Sequence, residues 1–154
     1  MSETAHTALK KYLTELGKTV KDSKGKPYYD SCGSGDSEPL DIRSGKRHLE
    51  YYPDVIWERG GKHFLIELSF TDDWRAIVGE LTLASMSKGL GGIIIVTANT
   101  KDGWDADSIS NLVSLISGEL DIEAHWINLA QEDIDDFEKG KKALREWLKK
   151  WGWI

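Results

Sequence analysis

The feature that most constrains the fold is a pair of strand-like segments joined by the turn 59–62, Arg-Gly-Gly-Lys. The segments, 48–58 and 63–70, are rich in aromatic and β-branched residues, which favour strands. A two-residue Gly-Gly turn closes a hairpin tightly and thereby fixes which residues lie opposite each other. We therefore predict a β-hairpin in this region, with Asp54 directly opposite Glu67.

Hydrophobic periodicity predicts the elements around this hairpin. Residues 4–20 and 72–88 carry apolar side chains at three- and four-residue steps, as amphipathic helices do. The run 93–97, Ile-Ile-Ile-Val-Thr, is typical of a strand buried on both faces. The remaining predicted elements are a helix from Asp107 to Gly118, a strand over 122–129 and a terminal helix over 134–151.

Residues 22–46 differ in composition from the rest of the chain, being rich in Gly, Ser, Asp, Lys and Pro. They predict a long loop with one short strand near 28–30. The order of elements along the chain predicts an α/β fold, a sandwich of helices around a central mixed β-sheet. At 154 residues, we expect a single domain over 1–154.

Charge is distributed unevenly along the chain. The net charge of −6 argues against a protein that coats nucleic acid through bulk electrostatics, although it leaves room for a local basic face. Residues 102–138 contain no Lys or Arg, whereas six basic residues lie within 139–150. This basic helix has two interpretations: a solvated face that complements the helix dipole, or a surface that faces phosphate.

The cysteine content and the hydropathy indicate the cellular compartment of the protein. Cys32 is the single cysteine, so an intrachain disulfide is excluded, and the Cys and His spacing matches no zinc site. The first residues lack a charged-then-apolar leader, and the longest apolar run, 93–96, is too short to cross a bilayer. We expect a cytoplasmic protein with no membrane partner.

The pair of acids in the hairpin points to a cation. Directly opposed side chains have Cβ atoms about 4.5–5.5 Å apart, where two carboxylates repel each other. A hard divalent cation offsets that repulsion, and Mg²⁺ is usually held by one or two carboxylates plus waters. Glu67, taken alone, is equally consistent with an exposed position on the sheet, but opposite Asp54 it favours a metal site.

Three segments resemble the motifs of the PD-(D/E)XK nuclease superfamily. They are 52–56 (Tyr-Pro-Asp-Val-Ile), 64–69 (Phe-Leu-Ile-Glu-Leu-Ser) and 74–81 (Trp-Arg-Ala-Ile-Val-Gly-Glu-Leu). The predicted order of helices and strands is also similar to that of this superfamily along most of the chain. The resemblance implies a restriction-endonuclease-like three-layer sandwich and a metal-dependent nuclease that acts on DNA.

The resemblance also implies roles for individual residues. Asp54 and Glu67 would ligate Mg²⁺ or Mn²⁺ with the backbone carbonyl of Leu68. Glu15 and Glu80 match places where members carry an accessory acid that orients water or metal. For both of these acids, a solvent-facing helix residue is the alternative. Whether two copies assemble as a homodimer to cut both strands stays open.

The sequence departs from the superfamily pattern at one catalytic position. Members carry a lysine two residues after the second acid, and here that residue is Ser69. A hydroxyl can bond a water but brings no positive charge, and losing one preorganised stabiliser costs on the order of 10²–10³ in rate. A metal-activated water can still sustain hydrolysis. Lys11 and Lys18 share a helix face with Glu15 and are the candidate replacements.

Two other functions are consistent with the sequence. A catalytically inactive relative could use the same fold to bind nucleic acid or a protein partner, and Ser69 and the net negative charge favour it. An unrelated α/β protein could instead act as an assembly partner that docks through its C-terminal tryptophans, Trp147, Trp151 and Trp153.

Overall fold

The chain folds as an α/β protein with helices on both faces of a mixed sheet. The computed structural model describes residues 3–35, 39–70, 74–100 and 104–154. The helices are α1 (Ala5–Thr19), α2 (Trp74–Ser85), α3 (Trp104–Leu120), α4 (Gln131–Asp135) and α5 (Phe137–Lys150). The strands are β1 (Ser31–Gly33), β2 (Leu40–Ser44), β3 (Arg47–Tyr51), β4 (Val55–Arg59), β5 (Lys62–Ser69), β6 (Leu90–Ala98) and β7 (Glu123–Leu129).

The central sheet has five strands in the order β1-β4-β5-β6-β7. Strands β1, β4 and β5 pair antiparallel, whereas β5, β6 and β7 pair parallel. Strands β2 and β3 form a separate antiparallel pair. The predicted mixed sheet is therefore confirmed.

The β4-β5 hairpin has the predicted register. Val55 pairs with Ile66 at one end and Arg59 pairs with Lys62 at the turn. Both turn glycines have positive φ, +60° and +78°, which is the backbone that a tight two-residue hairpin turn of type I′ requires. Continued by one residue beyond the paired region, this register places Asp54 opposite Glu67.

Two apolar cores lie on opposite faces of the sheet. On one face, Leu9 of α1 and Leu144 of α5 pack in one cluster with Trp57 and other sheet residues. On the other face, Ile77 of α2 and Ile109 of α3 cluster with the opposite side of the same strands. Burial of apolar surface on both faces explains the continuous apolar run in β6 and gives three layers.

The segment 22–46, predicted as a long loop, contains two strands. β1 pairs with β4 through contacts such as Ser31 with Glu58, and β2 pairs with β3. The short strand predicted near 28–30 lies instead at 31–33. A polar strand at the sheet edge shows little alternation of apolar residues, so its pairing depends on a partner distant in sequence.

Some boundaries also differ from the prediction. The segment 48–58 is divided between β3 and β4, and Pro53 lies between them, where a residue without an N–H cannot continue a hydrogen-bonded ladder. The terminal helix is divided into α4 and α5, and the Asp136 side chain caps α5 by accepting a hydrogen bond from Glu138 N. Helix α3 begins at Trp104, before the predicted cap at Asp107.

No helix within the described ranges is long and apolar enough to cross a membrane.

Candidate active site

Asp54 and Glu67 are held together by reciprocal hydrogen bonds. Asp54 lies immediately before β4, and Glu67 lies on β5. Glu67 Oε1 accepts from the backbone N–H of Asp54 at 3.2 Å. Asp54 Oδ2 in turn accepts from the backbone N–H of Leu68 at 2.8 Å. Each carboxylate is therefore fixed by the backbone of the other strand, so the acids predicted to lie opposite each other are adjacent.

Tyr51, the last residue of β3, completes the surroundings of Glu67. Its phenolic O–H donates to Glu67 Oε1 at 2.6 Å, and both side chains are buried. Burial and the neighbouring Glu67 charge raise the pKa of Tyr51, so the phenol remains protonated and can donate this bond. The sequence analysis missed Tyr51, because its approach depends on where the β2-β3 pair lies against the sheet.

Glu67 lies in an environment that disfavours its charge. Only 3% of the residue is exposed, and this burial raises its pKa well above the usual value. The negative charge of Asp54 raises the pKa further, whereas the hydrogen bond from Tyr51 opposes the rise. A group in this position is stable either as a neutral acid or as a carboxylate beside a cation.

Glu80, on α2, lies in the same buried environment near Asp54. Burial, followed by the charge of Asp54, raises the pKa of Glu80 to about 7. The nearby Ser69 hydroxyl partly opposes this rise, although no hydrogen bond of normal geometry joins the two side chains. Within the described residues, Glu80 Oε2 and Ser69 Oγ are buried and have no hydrogen-bond partner. These two groups are available for a water, a metal or a substrate oxygen.

His6, in the first turn of α1, reaches Asp54 from the other face of the sheet. Its Nε2 lies 3.3 Å from Asp54 Oδ1, and its ring packs edge-on against Phe70. The hydrogen bond to Asp54 raises the pKa of His6, while partial burial lowers it. The spacing of the histidines in the sequence matches no metal site, so His6 was not among the predicted site residues. A usable signal was that His6 precedes the buried Leu9 by three residues and so extends the buried stripe of α1.

Glu15 does not join this group. It is exposed and pairs with Lys18 Nζ at 3.0 Å. It lies nine residues after His6, which corresponds to about 13 Å along a helix. The structure therefore brings Asp54, Glu67, Ser69 and Glu80 together and leaves Glu15 and Lys18 apart from them.

The two acids are better suited to a cation that keeps several waters than to one held entirely by protein ligands. Among residues 3–35, 39–70, 74–100 and 104–154, no group of three or more His, Cys, Asp or Glu side chains is arranged to hold a metal ion. Mg²⁺, however, commonly takes one or two carboxylates and keeps several waters. Asp54 and Glu67 satisfy that requirement, and the unpartnered Glu80 and Ser69 oxygens can bond such waters.

Comparisons with known proteins provide little further information. No protein-family model matches the chain, and no curated protein matches it. The solved structure "Crystal structure of protein VC1899 from Vibrio cholerae" aligns with 94% of this chain at 14% identity and a TM-score of 0.49. The chain spans 33% of the length of that protein. A likeness at this level carries no conclusion about function.

Proposed function

We propose that this chain is a metal-dependent nuclease of the PD-(D/E)XK superfamily, with a restriction-endonuclease-like fold, that hydrolyses phosphodiester bonds in DNA. The observation that carries the proposal is the reciprocal hydrogen bonding of Asp54 and Glu67 across the β4-β5 hairpin. The position of Glu80 on the following helix adds a third acid to the pair. The arrangement is that expected from the sequence motifs.

In this proposal Asp54, Glu67 and the carbonyl of Leu68 would hold Mg²⁺ or Mn²⁺, which would lower the pKa of a bound water and polarise a phosphate oxygen. Tyr51 orients Glu67 by donating to Oε1, and the Leu68 N–H orients Asp54 by donating to Oδ2. Without a cation, burial and the charge of Asp54 raise the pKa of Glu80 to about 7. A cation beside Asp54 would lower that pKa, so in the loaded site Glu80 would be a carboxylate that can accept a hydrogen bond from a water.

Ser69 has a limited role in this chemistry. Its buried hydroxyl can donate one hydrogen bond to a water or a phosphate oxygen, but it cannot offset negative charge. We therefore expect slow hydrolysis compared with a site that has lysine at this position.

The test is a cleavage assay on supercoiled plasmid, a branched junction and single-stranded DNA, each with Mg²⁺ or Mn²⁺. Wild type should cleave at least one substrate, and chelation by EDTA should stop the reaction. The variants Asp54→Asn and Glu67→Gln should lose at least about 10²-fold in rate, because each removes a charged ligand. Glu119→Gln, an exposed acid on α3, is the matched control and should cleave as wild type does. Equal inertness of all four proteins on every substrate would contradict the proposal.

A second candidate is a catalytically silent relative that binds nucleic acid or a protein. It is favoured by Ser69, which brings no positive charge where superfamily members carry lysine, and by the net charge of −6. Calorimetry with Mn²⁺ separates the candidates. The nuclease must bind Mn²⁺ through Asp54, so heat seen in wild type should vanish in Asp54→Asn and persist in Glu119→Gln.

The cytoplasmic location, the single-domain organisation and a homodimer that cuts both strands stay predictions.

A further inference from the structure

His6 brings a ring nitrogen to one oxygen of Asp54. Its Nε2 lies 3.3 Å from Asp54 Oδ1, whereas the other oxygen, Oδ2, accepts from the backbone N–H of Leu68. Two atoms bound to one metal ion at about 2.1 Å, with an angle of about 90–110° between the bonds, lie about 3.0–3.4 Å apart. His6 Nε2 and Asp54 Oδ1 therefore have the separation of neighbouring ligands of one ion.

The imidazole also lies beside the backbone of Leu68, where a hydrogen bond raises the pKa of His6. A hydrogen bond that raises the pKa of an imidazole stabilises the protonated ring, which donates it. The acceptor on a backbone is the carbonyl oxygen, so His6 lies beside the Leu68 carbonyl. His6 therefore contacts two of the three groups assigned to the cation above, the Asp54 carboxylate and the Leu68 carbonyl.

Solvent reaches the contact between His6 and Asp54. The His6 side chain is 41% exposed and that of Asp54 is 18% exposed. The imidazole also lines a groove of about 360 Å³ beside α1. An ion can therefore approach these two side chains from the groove while Glu67 remains buried behind Asp54. The ring packs edge-on against Phe70, which limits its orientation.

We propose that His6 is a further metal ligand of this site, and that its nitrogen makes the site select a first-row transition ion such as Mn²⁺ or Co²⁺ over Mg²⁺. The inference rests on the proposed nuclease function and deepens it, because it names the kind of cation that the same site takes. Mg²⁺ is bound by oxygen ligands, whereas imidazole nitrogen suits transition ions. No three His, Cys, Asp or Glu side chains converge within the described ranges, so waters of the ion or a movement of Glu67 would supply the remaining ligands.

Calorimetry without nucleic acid, at pH 8, measures how tightly each ion binds. Wild type should bind Co²⁺ and Mn²⁺ more tightly than Mg²⁺. His6→Ala should weaken the binding of Co²⁺ and Mn²⁺ by at least about tenfold, because losing even a partner outside the ligand set costs about 10–100-fold in affinity. The binding of Mg²⁺ should change much less. The ratio of the affinities therefore distinguishes the loss of a nitrogen ligand from a general distortion of the site.

A spectroscopic measurement detects the nitrogen ligand itself. Electron spin-echo modulation of bound Mn²⁺ reports nitrogen nuclei bonded to the ion, so wild type should show a nitrogen coupling that is absent in His6→Ala. His6→Asp supplies an oxygen in place of the nitrogen. It should bind Mn²⁺ without the nitrogen coupling and discriminate less against Mg²⁺.

A matched control is available at His48, an exposed histidine on β3. His48→Ala should keep both the Mn²⁺ affinity and the nitrogen coupling of wild type. Thermal melts of the variants establish that they are folded. A wild type without nitrogen coupling would overturn the proposal, and so would a His6→Ala protein that keeps the wild-type ratio of affinities. Tighter binding of Mn²⁺ by His6→Ala would also overturn it, because His6 would then compete with the ion for Asp54.

The two proposals fail separately. A protein that binds Mn²⁺ through His6 but never cleaves DNA retains the nitrogen ligand and loses the nuclease assignment. A protein that cleaves in an Asp54-dependent manner, but binds Mn²⁺ without nitrogen coupling, retains the nuclease assignment and loses the ligand. A wild type that binds none of the three ions would overturn both.

Discussion

Tyr51 donates its phenolic O–H to Glu67 Oε1 at 2.6 Å, so a residue from the separate β2-β3 pair completes the surroundings of an acid on the central sheet. The bond joins two buried side chains sixteen residues apart in sequence. It fixes the direction of the Glu67 carboxyl and opposes the rise of its pKa. The β2-β3 pair therefore contributes to the candidate site as well as to the apolar core.

We expect Tyr51→Phe to destabilise the protein by about 1–2 kcal/mol, because a buried carboxyl loses its hydrogen-bond donor. Urea denaturation at pH 7 measures this change. Tyr52→Phe is the matched control, since Tyr52 makes a bond of the same length to Glu50 on the exposed surface. We expect little change there, and an equal effect of the two variants would show that burial does not strengthen the Tyr51 bond.

The raised pKa of Glu80 predicts a pH dependence of stability. Its pKa is 4.5 ordinarily and about 7 in the folded protein, so between these values the folded state holds a proton that the unfolded state releases. Metal-free protein should therefore lose stability as the pH rises from 4.5 to 7. The raised pKa of Glu67 acts in the same direction.

Urea midpoints measured in EDTA from pH 4.5 to 8 test this dependence. Glu80→Gln cannot ionise, so its stability relative to wild type should increase across the same window. Glu119→Gln alters an exposed acid, so its urea midpoint should change with pH in the same way as that of wild type. A constant difference between Glu80→Gln and wild type would show that Glu80 titrates normally in the folded protein.

Ser69→Lys should increase cleavage by on the order of 10²–10³, because it restores a cation beside the acids. Ser69 is buried near Glu80, so the new ammonium can pair with that carboxyl. Initial cleavage rates with saturating Mg²⁺ provide the measurement. Ser87→Lys places a lysine at another buried serine, whose hydroxyl donates to Ala84 O, and should destabilise the protein without any gain in rate. No gain in a folded Ser69→Lys protein would place Ser69 outside the reacting centre.

Gly17→Ala should destabilise the protein by about 1–3 kcal/mol through overpacking. A Cβ at this position would lie 2.7 Å from Cys32 Sγ and 2.6 Å from Cε2 of the buried Trp57 indole, whose Nε1 would be closer still. Gly118→Ala is the matched control in another helix, because its Cβ would have no neighbour within 4 Å. It should stabilise by up to about 1 kcal/mol through helix propensity. Thermal and urea melts that rank the two variants in the opposite order would contradict this packing.

The β4-β5 hairpin was predictable because its information is local. Two glycines with positive φ fix the turn, and the turn fixes the register that places Asp54 opposite Glu67. The apolar run of β6 was likewise predictable, because burial on both faces demands continuous apolar residues. Glu80 was implied only by the resemblance to the PD-(D/E)XK motifs, with a solvent-facing helix residue as the alternative, and the structure buries it near Asp54.

Spacing could place His6 on the buried side of α1, but it did not predict that His6 contacts Asp54 or that Tyr51 contacts Glu67. His6 reaches Asp54 from α1, and Tyr51 reaches Glu67 from β3, across different layers of the fold. The pairing of β1 with β4 was missed for the same reason, because a polar edge strand carries no periodic signal.

The sequence by itself determined the hairpin, the amphipathic helices and the opposition of two acids, because turn chemistry and periodicity act between residues close in the chain. Only the tertiary structure decided which other groups surround those acids and how strongly their charges are disfavoured. Burial, and hydrogen bonds such as that from Tyr51 to Glu67, depend on the packing of layers distant in sequence. The raised pKa of Glu80 arises from that packing.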